Sequence, residues 1–253
     1  MLLKFPLQRF LIYITICLIG ILLLNHFSNV FIRHVPAIAP ILFPTLTMFL
    51  MVFHTMIAVF MVMKYFCDRR RLYLMAIACA FASSAVLMLG TLNSYPTWFL
   101  CGASDNINYN DALIFYFFRN IIMAVLFITS VVLYAIKSRD MHSMRNHIFI
   151  LGGLFGFAIV MLVLSWLYSS HDSLLSVKLV DNNTFQYSEF WNNIVNWALV
   201  VIWLITLFTL IFTTQLNNIF WYSGAFFCAC YIFTLLVLMS GQDTASYSWY
   251  QAR

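Results

Sequence analysis

The stretch TLTMFLMVFHTMIAVFMVMKYFCDRRRLYLMAIACAFASSAVLMLGTL, residues 45–92, joins two long apolar runs through one short charged turn. Each run reaches the roughly 20 residues that an α-helix needs to cross the hydrocarbon of a bilayer. Both runs are continuously apolar, whereas a strand of a membrane β-barrel is about ten residues long and alternates between apolar and polar positions. The stretch therefore predicts two membrane-spanning helices joined by a turn.

The composition of the whole chain extends this prediction to seven spans. Hydrophobic residues make up 64% of the 253 residues and charged residues only 8%, so a water-soluble fold would have too little polar surface to cover its core. Seven runs are long and apolar enough to span, at about 10–30, 45–66, 72–92, 112–136, 148–168, 191–213 and 219–240. We predict an all-α fold, a polytopic transmembrane helical bundle that forms a single integral membrane domain over residues 1–253.

Lysine and arginine set the predicted orientation, because they are retained in the cytoplasmic loops of membrane proteins. With the N-terminus inside, nine of the 13 basic residues fall on the cytoplasmic side: Lys4, Arg9, Lys64, Arg69, Arg70, Arg71, Lys137, Arg139 and Arg145. The net charge of +5 is thus mainly a topology signal, and we expect no nucleic-acid partner. For the turn CDRRRLY itself, we favour a cytoplasmic flank that stops translocation over recognition of lipid headgroups.

Polar side chains within the spans mark the candidate site, because polar groups at membrane depth are costly and are a sign of function. His54 lies near the middle of the second predicted span, Arg119 lies about two turns inside the fourth, and Asn196 lies one turn from Asn192 on the sixth. We expect these residues to form a polar cluster open to the outer side. For His54 alone we favour a hydrogen bond between helices over a ligand role, and Arg119 either binds an anion or extends its head to the outer surface.

The histidines do not predict a cofactor. A bis-histidine haem site needs two opposed imidazoles at matching depth. His54 is mid-membrane, whereas the other histidines lie in predicted loops or at the ends of spans. No phosphate-binding loop, nucleophile elbow or metalloprotease motif occurs in the sequence. We expect no cofactor, no metal and no catalytic residue in this chain.

Small residues predict how the helices pack, because no hydrophobic force drives helices together in lipid. Ala76, Ala80 and Ser84 recur every four residues in the third predicted span, and Gly152 and Gly156 do so in the fifth. We favour packing within the chain over dimerisation for both sets.

A series of features in chain order resembles the bacterial membrane-associated sensor domains, fourth class, that precede GGDEF diguanylate cyclase domains. The features are an outer loop with Pro36, Pro40 and Pro44, the segment FHTMIAVFMVMKYFCDRRRLYLMAIA, and then YPTWF, FFRNIIMAVLFITSVVLYA and YSWYQAR. The resemblance covers nearly the whole chain.

This resemblance implies a function, partners and site residues. The chain would be the sensory input module of a cyclic-di-GMP signalling protein in the bacterial inner membrane, surrounded by the lipid bilayer and homodimeric through its parent protein. It would read an unknown small ligand or a membrane state, and it would not itself be an enzyme. The residues that the resemblance singles out as family-like are Tyr95, Pro96, Trp249, Tyr250 and Arg253, with His54 and Arg119 as positional candidates.

The last residues bear on how such a module would be connected. Seven spans from an inside N-terminus place Arg253 outside, so a cytoplasmic output domain requires an eighth helix. The segment TASYSWYQAR has the aromatic residues and the arginine of a helix that enters the membrane from outside. We therefore expect a sensor domain that stops at the start of its eighth helix. The alternative is a stand-alone seven-helix protein, either a small-solute transporter or a regulatory interaction partner.

Overall fold

A computed structural model of the chain describes residues 42–95, 108–136, 144–169, 177–180 and 186–240, together with the single positions 12, 15, 16 and 19. The predicted span 10–30 lies largely outside the described residues. Four of the candidate site residues also lie outside them: Pro96, Trp249, Tyr250 and Arg253.

Six long helices make up the described part of the chain. They are α1 (Leu42–Cys67), α2 (Tyr73–Asn93), α3 (Tyr109–Ile136), α4 (Met144–Tyr168), α5 (Asn196–Thr214) and α6 (Ile219–Ser240). All six are long and apolar enough to cross a membrane. The all-α polytopic bundle is therefore confirmed. The described residues contain six of the seven predicted spans, with boundaries within four residues of those predicted from sequence when the π-helical turn before α5 is counted with that helix.

Helices α2 and α3 form the centre of the bundle. Within its most apolar window, α2 has 78% of its residues buried and α3 has 67%, compared with 17% for α1 and for α4. Ala76, Ala80 and Ser84 of α2 are all fully buried, so the packing predicted for these small residues is confirmed. Near Gly152 and Gly156 of α4, in contrast, no described atom lies within 4 Å of the position that a Cβ would take. The packing predicted for these two glycines is therefore not found among the described residues.

The outward faces of the peripheral helices are apolar. Exposed large side chains include Phe49, Phe53 and Met56 on α1, and Phe149 and Ile159 on α4. Polar side chains such as His54, Asn120 and Thr206 are buried between helices instead. A membrane protein is expected to show this inversion, because lipid solvates the apolar faces and polar groups need partners inside the bundle.

A π-helical turn, Trp191–Val195, precedes α5 and begins at the first residue of the predicted span 191–213. The backbone N–H of Asn196 donates to the carbonyl of Trp191, five residues back. In an α-helix, residues five apart point about 140° away from each other. The wider turn brings Trp191 and Asn196 to the same face, and both are fully buried. The wider turn thus allows both side chains to be buried on one face.

Candidate signal-sensing site

A hydrogen bond joins α1 to α2 in the middle of the bundle. Nδ1 of His54 lies 2.9 Å from Oγ of Ser84. The imidazole also packs edge-on against the ring of Phe81, with 4.9 Å between ring centroids. His54 is buried, so the interhelical hydrogen bond considered for it from sequence is present in the structure.

A second buried contact joins α3 to α5. The indole Nε1 of Trp203 donates to Oδ1 of Asn120 at 3.0 Å. Nδ2 of the same asparagine donates to the backbone carbonyl of Tyr116 at 2.9 Å. Both ends of the Asn120 amide are therefore satisfied, although the side chain is fully buried.

Arg119 is the charged residue at this level of the bundle. Its guanidinium carbon lies 5.0 Å from the centre of the Tyr116 ring, a cation–π contact. Its Nε is buried and has no hydrogen-bond partner among the described residues. The charge acts electrostatically on His54 and on Tyr231, and Tyr231 in turn stacks on Trp203 with 4.3 Å between ring centroids. No described carboxylate forms a salt bridge with Arg119. Among the described residues, the ion pair that is present joins Arg71 to Asp68.

These contacts lie at one depth. At 1.5 Å per residue, each residue concerned is about 14–18 Å along its helix from the end predicted to face outward, with Trp203 counted from the start of the π-helical turn before α5. Half of a hydrocarbon core about 30 Å thick is close to this distance. We call the set the mid-membrane polar layer; its members are His54, Ser84, Arg119, Asn120, Trp203 and Tyr231.

Two other predicted site residues lie closer to the outer end. Asn196 is about 8 Å from the start of the π-helical turn, by the same helical rise. Its Nδ2 donates to the carbonyl of Leu235 on α6 at 3.4 Å, while its buried Oδ1 has no hydrogen-bond partner in the described chain. Tyr95 follows the last turn of α2, where it is buried against Phe43 with 4.9 Å between ring centroids. The structure thus brings His54 and Arg119 into one layer but leaves Asn196 and Tyr95 outside it.

The outer end carries a loop that is fixed to α3. Oδ1 of Asn110 accepts hydrogen bonds from the backbone N–H groups of Leu179 at 2.7 Å and Val180 at 3.2 Å, and its Nδ2 donates to the carbonyl of Val177 at 2.9 Å. Beneath this loop lies an apolar cavity of about 250 Å³, with Phe117 and Phe118 in its wall. Val177 and Leu179 of the loop line this cavity together with Phe117 and Phe118, which directly precede Arg119 on α3.

The chemistry available in the mid-membrane polar layer is that of hydrogen bonding and charge. Arg119 offers donors and a positive charge, and His54 offers a second polar group nearby. Among the described residues, no group of three or more His, Cys, Asp and Glu side chains could hold a metal ion. The layer is suited to an anionic or hydrogen-bond-accepting ligand.

Sequence reasoning missed three members of the layer. Ser84 was considered only as a small packing residue, and Trp203 and Tyr231 lie in runs where most neighbours are apolar. The available signal was depth, because each lies within about 4 Å of the level of His54 and Arg119 when distances are counted from the outer helix ends at 1.5 Å per residue.

Comparison with known proteins gives one match. A family model described as membrane-associated sensor, integral membrane domain (MASE4), matches residues 37–253. No curated protein and no solved structure matches the chain.

Proposed function

The chain belongs to the MASE4 family of membrane-associated sensor domains, and on that premise we propose that it is the input module of a cyclic-di-GMP signalling protein in the bacterial inner membrane. Membership of the family confirms the resemblance found in the sequence and gives the chain a sensory role as a multi-pass membrane domain. We treat residues 1–253 as one domain. Its signal is read in the mid-membrane polar layer.

The observation that carries this assignment is the position of Arg119. A charged side chain in the middle of a spanning helix costs about 2.5–3.5 kcal/mol on insertion scales. Arg119 is half-buried there, held against the ring of Tyr116, and forms no salt bridge with any described carboxylate. A group that is costly to the fold and is only partly satisfied within it is a candidate for ligand binding.

The neighbours of Arg119 suggest how binding could change the helices. The charge of Arg119 interacts with His54 on α1 and with Tyr231 on α6. The next residue, Asn120, accepts a hydrogen bond from Trp203 on α5. A ligand that binds Arg119 more tightly in one helix arrangement than in another shifts the populations of the two. Helices α1 and α6 then move relative to the α2–α3 centre, and a homodimeric parent protein transmits that change to its output domains.

The ligand class follows from the same contacts. Arg119 favours a small molecule with a carboxylate, a phosphate or a carbonyl oxygen, because guanidinium groups bind such acceptors with charge-assisted hydrogen bonds. The apolar cavity beside Phe117 and Phe118 favours a ligand that also has an apolar part. A membrane state that alters the packing of α1 is the other class of signal, since much of α1 faces lipid.

The decisive experiment uses the complete reading frame to which residues 1–253 belong. We would express it in a bacterium without other diguanylate cyclases and measure cellular cyclic-di-GMP in the wild type, in Arg119→Gln and in Lys64→Gln. Lys64 is the matched control, because it is an exposed cation near the inner end of α1. We expect Arg119→Gln to change the cyclic-di-GMP level several-fold, and Lys64→Gln to leave it unchanged.

Three results would contradict the assignment in whole or in part. A reading frame without a diguanylate cyclase output domain would exclude the cyclic-di-GMP part and leave the sensory role. Equal cyclic-di-GMP levels in all three proteins would exclude Arg119 as part of the sensing site. Solute uptake by the purified chain in proteoliposomes would favour a transporter over both the cyclic-di-GMP assignment and the sensory role.

A further inference from the structure

An apolar groove runs along the outside of the bundle between α1 and α2. It has a volume of about 590 Å³ and is bounded on its third side by Phe155 of α4. A second cavity of about 750 Å³ continues from it toward the end of the bundle that carries the α1–α2 turn. The two cavities share four lining residues, Val62, Phe66, Met75 and Phe155, so they form one continuous groove.

The floor of the groove has the shape of a slot for a hydrocarbon chain. It is formed by successive turns of α2, which contribute small side chains at Ala78, Ala82 and Ala85 between Met75 and Leu89. At 1.5 Å per residue, the distance from Met75 to Leu89 is about 21 Å. One leaflet of a bilayer has about 15 Å of hydrocarbon, so the slot is long enough for one acyl chain.

The inner mouth of the groove is basic. Arg69, Arg70 and His147 line it together with apolar residues. Arg71 of the same turn already forms an ion pair, because its Nε donates to Oδ2 of Asp68 at 2.8 Å. In the part of the chain that the structure describes, Arg69 and Arg70 have no such ion pair. Two guanidinium groups therefore lie at the membrane surface, at the end of an apolar slot.

The sequence alone favoured a simple cytoplasmic flank for this turn, but we propose that this groove binds an anionic phospholipid of the cytoplasmic leaflet, with its phosphate on Arg69 and Arg70 and one acyl chain along α2. The charge of the mouth selects this occupant. Arginine binds phosphate oxygens through a planar fork of donors, and each basic residue near an anionic membrane surface contributes about 1 kcal/mol of attraction. A zwitterionic lipid would gain less from the mouth, and a protein helix in the groove would leave the two arginines without an acidic partner.

The experiment uses the full chain in bilayer nanodiscs and a phosphatidylglycerol probe with a photoreactive diazirine on one acyl chain. We expect the probe to label α2 around Ala78 and Ala82, and the same diazirine on phosphatidylcholine to label these positions weakly. The variant Arg69→Gln/Arg70→Gln should raise the half-saturating fraction of phosphatidylglycerol roughly 30-fold, because two residues are lost. The control Lys64→Gln/Arg71→Gln removes the same charge from the same end of the bundle but spares the mouth, and should label like the wild type.

A second variant tests the slot separately from its charge. Ala82 is exposed within the groove, so Ala82→Phe fills the slot without displacing the core; Ala198→Phe places the same ring on an exposed position of α5 as the control. We expect Ala82→Phe alone to abolish labelling at Ala78.

Three results would overturn the proposal. They are equal labelling by the two lipids, unchanged labelling in Arg69→Gln/Arg70→Gln, and a photoreactive amino acid at position 82 that becomes joined to residues 10–30 instead of to lipid. The last would show that a segment of the chain itself fills the groove. None of these results affects the cyclic-di-GMP measurement on Arg119, because the groove and the mid-membrane polar layer share no residue.

Discussion

The indole N–H of Trp203 donates to the side-chain oxygen of Asn120 at 3.0 Å, and both side chains are fully buried. The bond joins α3, at the centre of the bundle, to α5 at its side. Because lipid offers no competing hydrogen-bond donors or acceptors, such a bond fixes the relative depth and rotation of the two helices. The other end of the Asn120 amide is also satisfied, by the backbone carbonyl of Tyr116.

Loss of this bond should lower stability by an amount that a double-mutant cycle can isolate. Asn120→Leu leaves the Trp203 N–H without an acceptor, and we expect it to reduce the free energy of unfolding by about 1–2 kcal/mol. Combining it with Trp203→Phe should give a coupling energy of about 0.6–1.7 kcal/mol, the range found between membrane helices. Reversible unfolding of the purified chain in mixed micelles, followed by circular dichroism, measures both. Strictly additive losses would show that the two side chains do not interact.

Asn196 provides the contrasting case. It is as deeply buried as Asn120, but its one hydrogen bond is 3.4 Å long and its Oδ1 has no partner in the described residues. Asn196→Leu removes a weak bond together with an unsatisfied acceptor, so the unfolding free energy should change by less than about 0.5 kcal/mol. The same unfolding assay, run beside Asn120→Leu, checks this. A loss as large as that of Asn120→Leu would mean that Oδ1 is satisfied in the membrane.

Arg119 should affect stability in the opposite direction. Arg119→Met keeps an unbranched side chain of similar reach and removes a half-buried charge, so we expect an unchanged or higher unfolding temperature. Lys64→Met, at the exposed inner end of α1, should leave the unfolding temperature unchanged, because that ammonium group already reaches water. Thermal unfolding of the purified chain in detergent compares the three proteins. A clear drop for Arg119→Met would show that the charge serves the fold, and the sensing assignment would lose its main support.

The His54–Ser84 contact should hold α1 to the centre of the bundle. Ser84→Ala removes the partner of Nδ1 without changing helix packing, and His54→Phe keeps the edge-on contact with Phe81 but removes the polar atom. Each is expected to reduce the unfolding free energy by about 0.5–1 kcal/mol, and the double variant should lose little more than either alone. Ser83→Ala is the control, because Ser83 bonds to the carbonyl of Cys79 within its own helix. If the double variant instead lost the sum of the two single losses in unfolding free energy, His54 and Ser84 would not be in contact.

The amino-acid sequence predicted the parts of this structure that depend on length and polarity. Six apolar runs became six helices, and Ala76, Ala80 and Ser84 lie on the buried face of α2 as predicted. It could not show which face of an apolar helix is buried, because lipid-facing and core-facing side chains are equally apolar. Trp203 is fully buried and Trp197 is half exposed, yet both lie in the same apolar run. The π-helical turn could not be predicted either, because the sequence does not show that Trp191 and Asn196 are both buried.

The loop at the outer end should depend on Asn110 for its order. Asn110→Asp keeps the oxygen that accepts from the backbone N–H groups of Leu179 and Val180 but loses the donor to Val177, whereas Asn110→Ala loses all three contacts. Amide hydrogen exchange reports these bonds directly, because an amide exchanges only when its hydrogen bond opens. We expect exchange at Leu179 and Val180 to be at least ten-fold faster in Asn110→Ala and nearly unchanged in Asn110→Asp. Equal acceleration in both variants would mean that the side chain orders the loop through its bond to Val177 alone.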